Sequence, residues 1–277
     1  SRLPLPVLYK VSDLLYYICY YLIRYRRQVV YQNLVKAFPE EDPGRIEKIM
    51  KQFYRNFCDF IIEALKSITI SESELEKRVI IKGKELIESY FVKGQSVIVL
   101  TSHQFNWEWL LLSSSLQLSA PLNPVYKLLN NKYFNDLMLS TRSRFGSNPV
   151  EMQETLIQIV KRKQTTNAFG LLADQTPLVD ADKYWSKFLN QDTAFFVGSE
   201  RIAHLTKYPV LFVGMKKIKR GYYEISYEPL AEPPYQKNDH VILDTYIQRA
   251  EALIRENPSE WLWSHRRWKY EKPFYTD

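Results

Sequence analysis

The chain has little of several things that define common protein classes. Among 277 residues there are two cysteines, Cys19 and Cys58. They form no C-x-x-C and no framework of paired spacings. That excludes a disulfide-stapled fold, argues against a structural zinc site, and fits a reducing compartment. Histidine is scarce too, with four copies and no H-E-x-x-H, so a zincin metalloprotease is excluded. There is no G-x-S-x-G, no Walker A loop and no G-x-G-x-x-G, which removes the usual serine hydrolase, the P-loop NTPase and the dinucleotide-binding fold. No internal repeat or low-complexity linker breaks the chain. No uninterrupted apolar run reaches the roughly 20 residues that cross a bilayer. The nearest approach, Leu3–Ile23, contains Pro4, Pro6, Lys10 and Asp13, and only Leu14–Ile23 within it is strictly apolar and aromatic. No small-residue cleavage site follows it, so a removed signal peptide is not expected.

What is present is a globular composition: 45% apolar and 25% charged residues, enough to bury a substantial core. The net charge of +7 favours an anionic partner: nucleic acid, anionic lipid, a phosphorylated substrate or an acidic carrier protein. No nucleic-acid-binding motif accompanies the charge, which excludes that partner. The basic runs 161–163 and 216–220 are read mainly as solvated faces, with docking of an acidic carrier protein or of anionic headgroups as the functional alternative. Twenty tyrosines and six tryptophans suit half-wet surfaces. Residues 1–27 are expected to form a membrane-associated helix lying at the interface. Tyr16, Tyr17, Tyr20, Tyr21 and Tyr25 would sit at headgroup level, and Arg24, Arg26 and Arg27 would meet lipid phosphates. The alternatives are a helix that spans the bilayer and an amphipathic helix packed on its own domain. Residues 28–277 are expected to form one domain.

Within that domain, helical periodicity covers 28–66, broken at FPEEDPG. Strand-like and helical runs then alternate: VIIKG, KELIESYFVKG, SVIVL, WEWLLLSSSLQL, PLNPVYK, NKYFNDLMLSTRSRFG, PVEM, ETLIQIVKRKQ, NAFGLLADQ, FVGSERIAHLTKY, a β-hairpin at PVLFVGMKKIK and GYYEISYEPL, and a last helix ending near Pro258. Such alternation predicts an α/β fold, a central mixed sheet flanked by helices, with ligands beyond the carboxyl ends of its strands.

His103 falls just past the expected strand SVIVL, and Glu108 falls in the first turn of the next helix. On a continuous helix these positions would diverge, but a strand-to-helix turn lets the carboxylate reach the imidazole. A carboxylate on one ring nitrogen fixes the tautomer and leaves the other free to take a proton. This is a general base with an orienter, and the competing reading is an inert, hydrogen-bonded strand-end histidine. Without a protein nucleophile, the pair suits direct attack by a substrate hydroxyl on an activated acyl group.

The stretch HQFNWE resembles the H-x4-D/E motif of the glycerolipid acyltransferase superfamily, and its Asn-Trp-Glu ending resembles the late (secondary) acyltransferase branch of lipid A biosynthesis. Five further blocks are similar to that branch in the same order: RRQVVYQNLVKAFPE, RSRFG, LLADQTP, FFVGSERIAHLTKYPVLFV and ENPSEWLWSHRRWK. Phe105 departs from a frequent glycine, and Asp192-Thr193-Ala194 replaces prolines, which bears on the acyl or acceptor pocket. The resemblance implies a membrane-associated enzyme on the cytoplasmic face of the inner membrane. It would move a fatty acyl chain from an acyl carrier protein or coenzyme A thioester to a hydroxyl of a lipid A precursor. Other acceptors in view are a different glycolipid, a lysophospholipid or an aminolipid. His103 would be the base and Glu108 its orienter, with no cofactor, metal or covalent intermediate.

Asn106, Arg142, Asp174, Gln175 and Arg266 are the candidate substrate-binding residues. Arg142 precedes Gly146 in the RSRFG block, and its planar fork suits phosphate; a helix C-terminal cap is the plainer reading of Arg142 and Arg144. Asp174 and Gln175 end an expected strand, where they either position the acceptor or tie down a loop. Arg266 is assigned a phosphate or headgroup contact, and Trp263 a packing role. His204 and His240 are read as non-catalytic. Two other classes compete: a glycosyltransferase using Asp180-Ala181-Asp182 to hold a divalent cation, and a non-catalytic membrane-binding protein.

Overall fold

The computed structural model describes residues 2–236 and 239–272. Three helices open the chain: α1 (Leu5–Tyr17), continued by a π-helical turn at Ile18–Leu22, then α2 (Arg27–Ala37) and the long α3 (Pro43–Lys66). The break between α2 and α3 follows from FPEEDPG. Asp42 caps α3, its carboxylate accepting from the N–H groups of Gly44 and Arg45, and Pro43 sits at the first helical position where its missing N–H costs nothing.

Next come α4 (Glu72–Arg78), β1 (Val79–Lys82), α5 (Lys84–Val92), β2 (Val97–Thr101), α6 (Trp107–Gln117), β3 (Leu122–Tyr126) and α7 (Lys132–Arg142). The chain continues with β4 (Val150–Glu151), α8 (Thr155–Lys161), β5 (Ala168–Leu172), β6 (Lys183–Phe188), β7 (Gln191–Phe196), α9 (Gly198–Thr206), β8 (Val210–Lys219), β9 (Tyr222–Ala231) and α10 (Val241–Glu256). Seven strands form one sheet in the order β1-β9-β8-β2-β5-β3-β4. Only the β8–β9 hairpin is antiparallel; the other neighbouring strands run parallel. The mixed, helix-flanked sheet expected from the alternating pattern is therefore present and mostly parallel. β2 is buried along its whole length, as a central parallel strand covered on both faces must be.

A separate two-stranded hairpin, β6–β7, was not anticipated. It turns at Leu189 and Asn190, both with positive φ, the backbone sign that a two-residue primed turn needs.

α1 lies along α3. Leu5, Leu8, Ser12, Tyr16 and Tyr20 face the protein and are buried. Tyr16 and Tyr20 therefore do not sit at headgroup level as the sequence suggested. Their spacing places them on the face that packs on α3, where Tyr20 meets Tyr54 edge-on. The opposite face is apolar as well: Leu3, Val7, Val11, Leu14, Tyr17 and Tyr21 are exposed. Arg26 donates to the carbonyl of Ser264 at 3.0 Å, and Arg27 lies over the Tyr20 ring. No helix among the described residues is long and apolar enough to cross a membrane.

Candidate active site at the carboxyl edge of the sheet

β2 and β5 are parallel neighbours, with Thr101 opposite Leu172. Two residues beyond each of these paired ends stand His103 and Asp174. Asp174 Oδ1 lies 2.7 Å from His103 Nδ1. Its Oδ2 accepts from the backbone N–H of His103 at 2.9 Å and from the Trp261 indole at 2.7 Å. The carboxylate is thus held on both oxygens and is almost fully buried. Burial by itself would raise the Asp174 pKa, but the charge of His103 and these donors outweigh it and hold the group at about 2. An ionised carboxylate can only accept, so in the neutral imidazole Nδ1 carries the proton and Nε2 presents its lone pair. The Gln175 side-chain amide sits 3.1 Å from that Nε2.

The carboxylate expected at His103 was Glu108, and the structure corrects this contact. Glu108 forms a two-point pair with Arg142, Nε to Oε2 at 3.0 Å and Nη2 to Oε1 at 2.5 Å. The reason is local. α6 starts only at Trp107, so its first turn points Glu108 towards α7, while the 102–106 loop turns His103 towards β5. Trp107 lies between them: its indole N–H donates to Glu108 at 3.2 Å, and its ring meets the imidazole edge-on at 5.0 Å. Burial works against the charge on Arg142, but Glu108 more than compensates and the guanidinium pKa is raised. Arg142 therefore spends two of its three nitrogens inside the protein rather than on a phosphate.

A model of a protein family described as bacterial lipid A biosynthesis acyltransferase matches residues 1–270. The chain belongs to that family. No individually curated protein matches it. Membership makes the chain a member of an acyltransferase family and accounts for the order of the sequence blocks.

The remaining candidate residues of this acyltransferase fall into two groups. Asn106 is fully buried, its Oδ1 capping α6 at the N–H of Trp109 and its Nδ2 donating to Glu63. It shapes the site loop and offers no surface to a substrate, contrary to expectation. Arg144 is likewise structural, donating to the carbonyls of Ser67 and Ile70. Gln175 stays at the site, and Arg266 is exposed beside it on the C-terminal segment. Phe105 is core: it stacks among Phe53, Phe60 and Trp107. Thr193 and Ala194, where prolines were expected, brace the C-terminal segment by accepting from Trp268 and Arg267. His204 stacks on Tyr235 and His240 pairs with Glu200, both away from His103. Asp182 pairs with Arg201, and among the described residues no group of three His, Cys, Asp or Glu side chains could hold a metal ion.

Several residues that complete the site were not singled out from sequence. Trp261 holds Asp174. Thr176 donates through its backbone N–H to His265 Nε2 at 3.3 Å and through its hydroxyl to the carbonyl of Arg267. Burial, with help from the charges of Arg267 and His103, pushes the His265 pKa down to about 4 against the pull of Asp174. Glu63 is buried on α3, where Oε1 accepts from Tyr9 and Oε2 from Asn106 and Tyr223. A signal for it existed: Asn56, Asp59 and Glu63 continue the helical stripe of Ile46, Ile49 and Phe53, placing polar groups on an apolar face. The basic run 216–220 is committed to this region, since Lys217 and Arg220 pair with Asp59, and Arg220 also with Asp13.

Proposed function

We propose that the protein transfers a fatty acyl group from an acyl thioester to a hydroxyl of a lipid A precursor, with His103 as general base and Asp174 as its orienter. The observation that carries this reading is the contact of His103 Nδ1 with a buried, ionised carboxylate, which leaves Nε2 as the proton acceptor. The acceptor hydroxyl takes the place of the Gln175 amide at Nε2. As its oxygen attacks the thioester carbonyl, the proton passes to Nε2 and Asp174 stabilises the imidazolium. Collapse of the tetrahedral adduct expels the thiolate, which recovers the proton from Nε2. The imidazole ends neutral, and the products are the ester and the free thiol of acyl carrier protein or coenzyme A. Glu108 acts one layer out. Paired with Arg142 and holding the Trp107 indole, it secures the turn that carries His103.

The exposed apolar face of α1 supports a protein that lies on the inner membrane at its cytoplasmic side, where acceptor and acyl chain are found. Purified protein and His103→Ala would be incubated in chelator with envelope lipids and a mixed pool of acyl carrier protein and coenzyme A thioesters. Mass spectrometry is expected to show a lipid heavier by one acyl unit with the wild type alone. Thioester consumed only to free acid, or not at all, would overturn the transfer reading.

A further inference from the structure

The C-terminal segment beyond α10 runs back across α2. Asn33 holds it by donating to the carbonyls of Trp263 and His265, at 2.9 and 3.0 Å. Between them lies an open groove of about 350 Å³. Gln28, Gln32 and Lys36 recur every four residues and so line one side of it from a single face of α2. Arg266, Trp268 and Lys269 line it from the C-terminal segment, and Gln191 of β7 also lines it.

We propose that this groove binds a phosphoryl group carried by one of the two substrates. Three cationic side chains converge on it, Lys36, Arg266 and Lys269, and no carboxylate lines it. None of the three forms an ion pair among the described residues. Cations left unpaired around one concavity raise the local positive potential and favour a multiply charged anion. A second observation points the same way: the Gln191 amide nitrogen is buried without a hydrogen-bond acceptor. A buried donor left unsatisfied costs free energy, and a turn of the Gln191 side chain into the groove would let a phosphoryl oxygen accept from it. The Trp268 ring is fixed by its indole N–H on Thr193 at 2.8 Å and forms a rigid wall.

The groove is tied to the reacting centre by a short chain of contacts. Thr176 donates to the carbonyls of Arg266 and Arg267, and its neighbour Gln175 touches His103 Nε2. The segment that carries Arg266 is therefore braced against the loop that carries Gln175.

The site stands on its own chemistry; only the source of the phosphate rests on the acyl-transfer reading, being the acceptor headgroup or the phosphate-bearing arm of the donor. The test uses the full chain in detergent with Lys36→Gln, Arg266→Gln and Lys269→Gln combined. All three side chains are exposed, so the thermal midpoint should stay at the wild-type value. Calorimetric titration with inorganic pyrophosphate should show binding to the wild type that weakens at least about tenfold in the triple variant. It should weaken also with added salt. In turnover, KM is compared for a phosphorylated glycolipid acceptor and its phosphatase-treated form, and for coenzyme A and pantetheine thioesters. A rise in KM confined to the phosphorylated acceptor assigns the groove to the headgroup. A rise confined to the coenzyme A thioester assigns it to the donor. Pyrophosphate binding that is absent, or equal in wild type and variant, overturns the proposal whether or not acyl transfer is seen. Pyrophosphate binding without any acyl transfer upholds the groove and overturns the acyl-transfer reading alone.

Discussion

His103 and Asp174 owe their contact to strand register. If Asp174 sets the tautomer, Asp174→Asn should lower kcat by about 10²–10⁴ at nearly unchanged KM. Glu108→Gln keeps one hydrogen bond to Arg142 and should cost far less. Equal losses in the two variants would return Glu108 to the role of orienter. His265 offers a separate test through pH. Its folded pKa, about 4, lies below the ordinary value of 6.5, so the folded state resists protonation. The stability tied to the neutral ring is present above pH 6.5 and is lost as pH falls towards 4. It should amount to no more than about 3 kcal/mol. Urea titrations at pH 7 and pH 4 should show a smaller drop for His265→Gln than for the wild type. Asp174 acts in a lower window: its depressed pKa stabilises above about pH 4, and that contribution disappears as pH falls to about 2.

α3 acts as the beam on which the site is assembled. Its residue Glu63 connects α1 through Tyr9, β9 through Tyr223 and the start of α6 through Asn106. Its main-chain carbonyl also accepts from the Trp109 indole at 3.1 Å. Burial raises the Glu63 pKa, and the hydroxyl donors of Tyr223 and Tyr9 oppose that rise. Glu63→Leu would strand three donors, at roughly 1–3 kcal/mol each. We expect chemical denaturation to show a loss of several kcal/mol, and Glu63→Gln to recover part of it. A variant as stable as the wild type would mean the network adds no net stability. The stretch FIIEAL reads as ordinary helix, so the polar position was visible by spacing while its three partners, from distant segments, were not.

α1 has two apolar faces, and the fold satisfies only the inner one. The outer face of α1 is where a bilayer would act. Val11→Asp with Leu14→Asp should weaken vesicle binding by at least about tenfold, since each side chain is worth about 1.5–3 kcal/mol when buried. The thermal midpoint should hold. Leu8→Asp, placed on the packed face, should instead unfold the protein. Vesicle co-sedimentation of the double variant at the wild-type level would show that another surface does the anchoring. The same two-faced pattern explains why the sequence left the placement of this segment open: its apolar residues surround the helix, and periodicity alone does not say which side meets protein.

Much was determined by the sequence alone. The alternation of apolar periods specified an α/β sheet, FPEEDPG marked the break between two helices that the structure confirms, and HQFNWE placed a histidine at a strand end. Local physics sufficed for these, because caps, turns and amphipathic periods act within a few residues. The tertiary structure decided which carboxylate meets His103. β5 pairs beside β2 across 71 positions of chain, and no local pattern encodes which parallel strands become neighbours. It also decided that Glu108 belongs to Arg142, and that the tryptophan-rich C-terminal segment returns to hold Asp174 through Trp261. Each of these contacts comes from burying distant segments against one another.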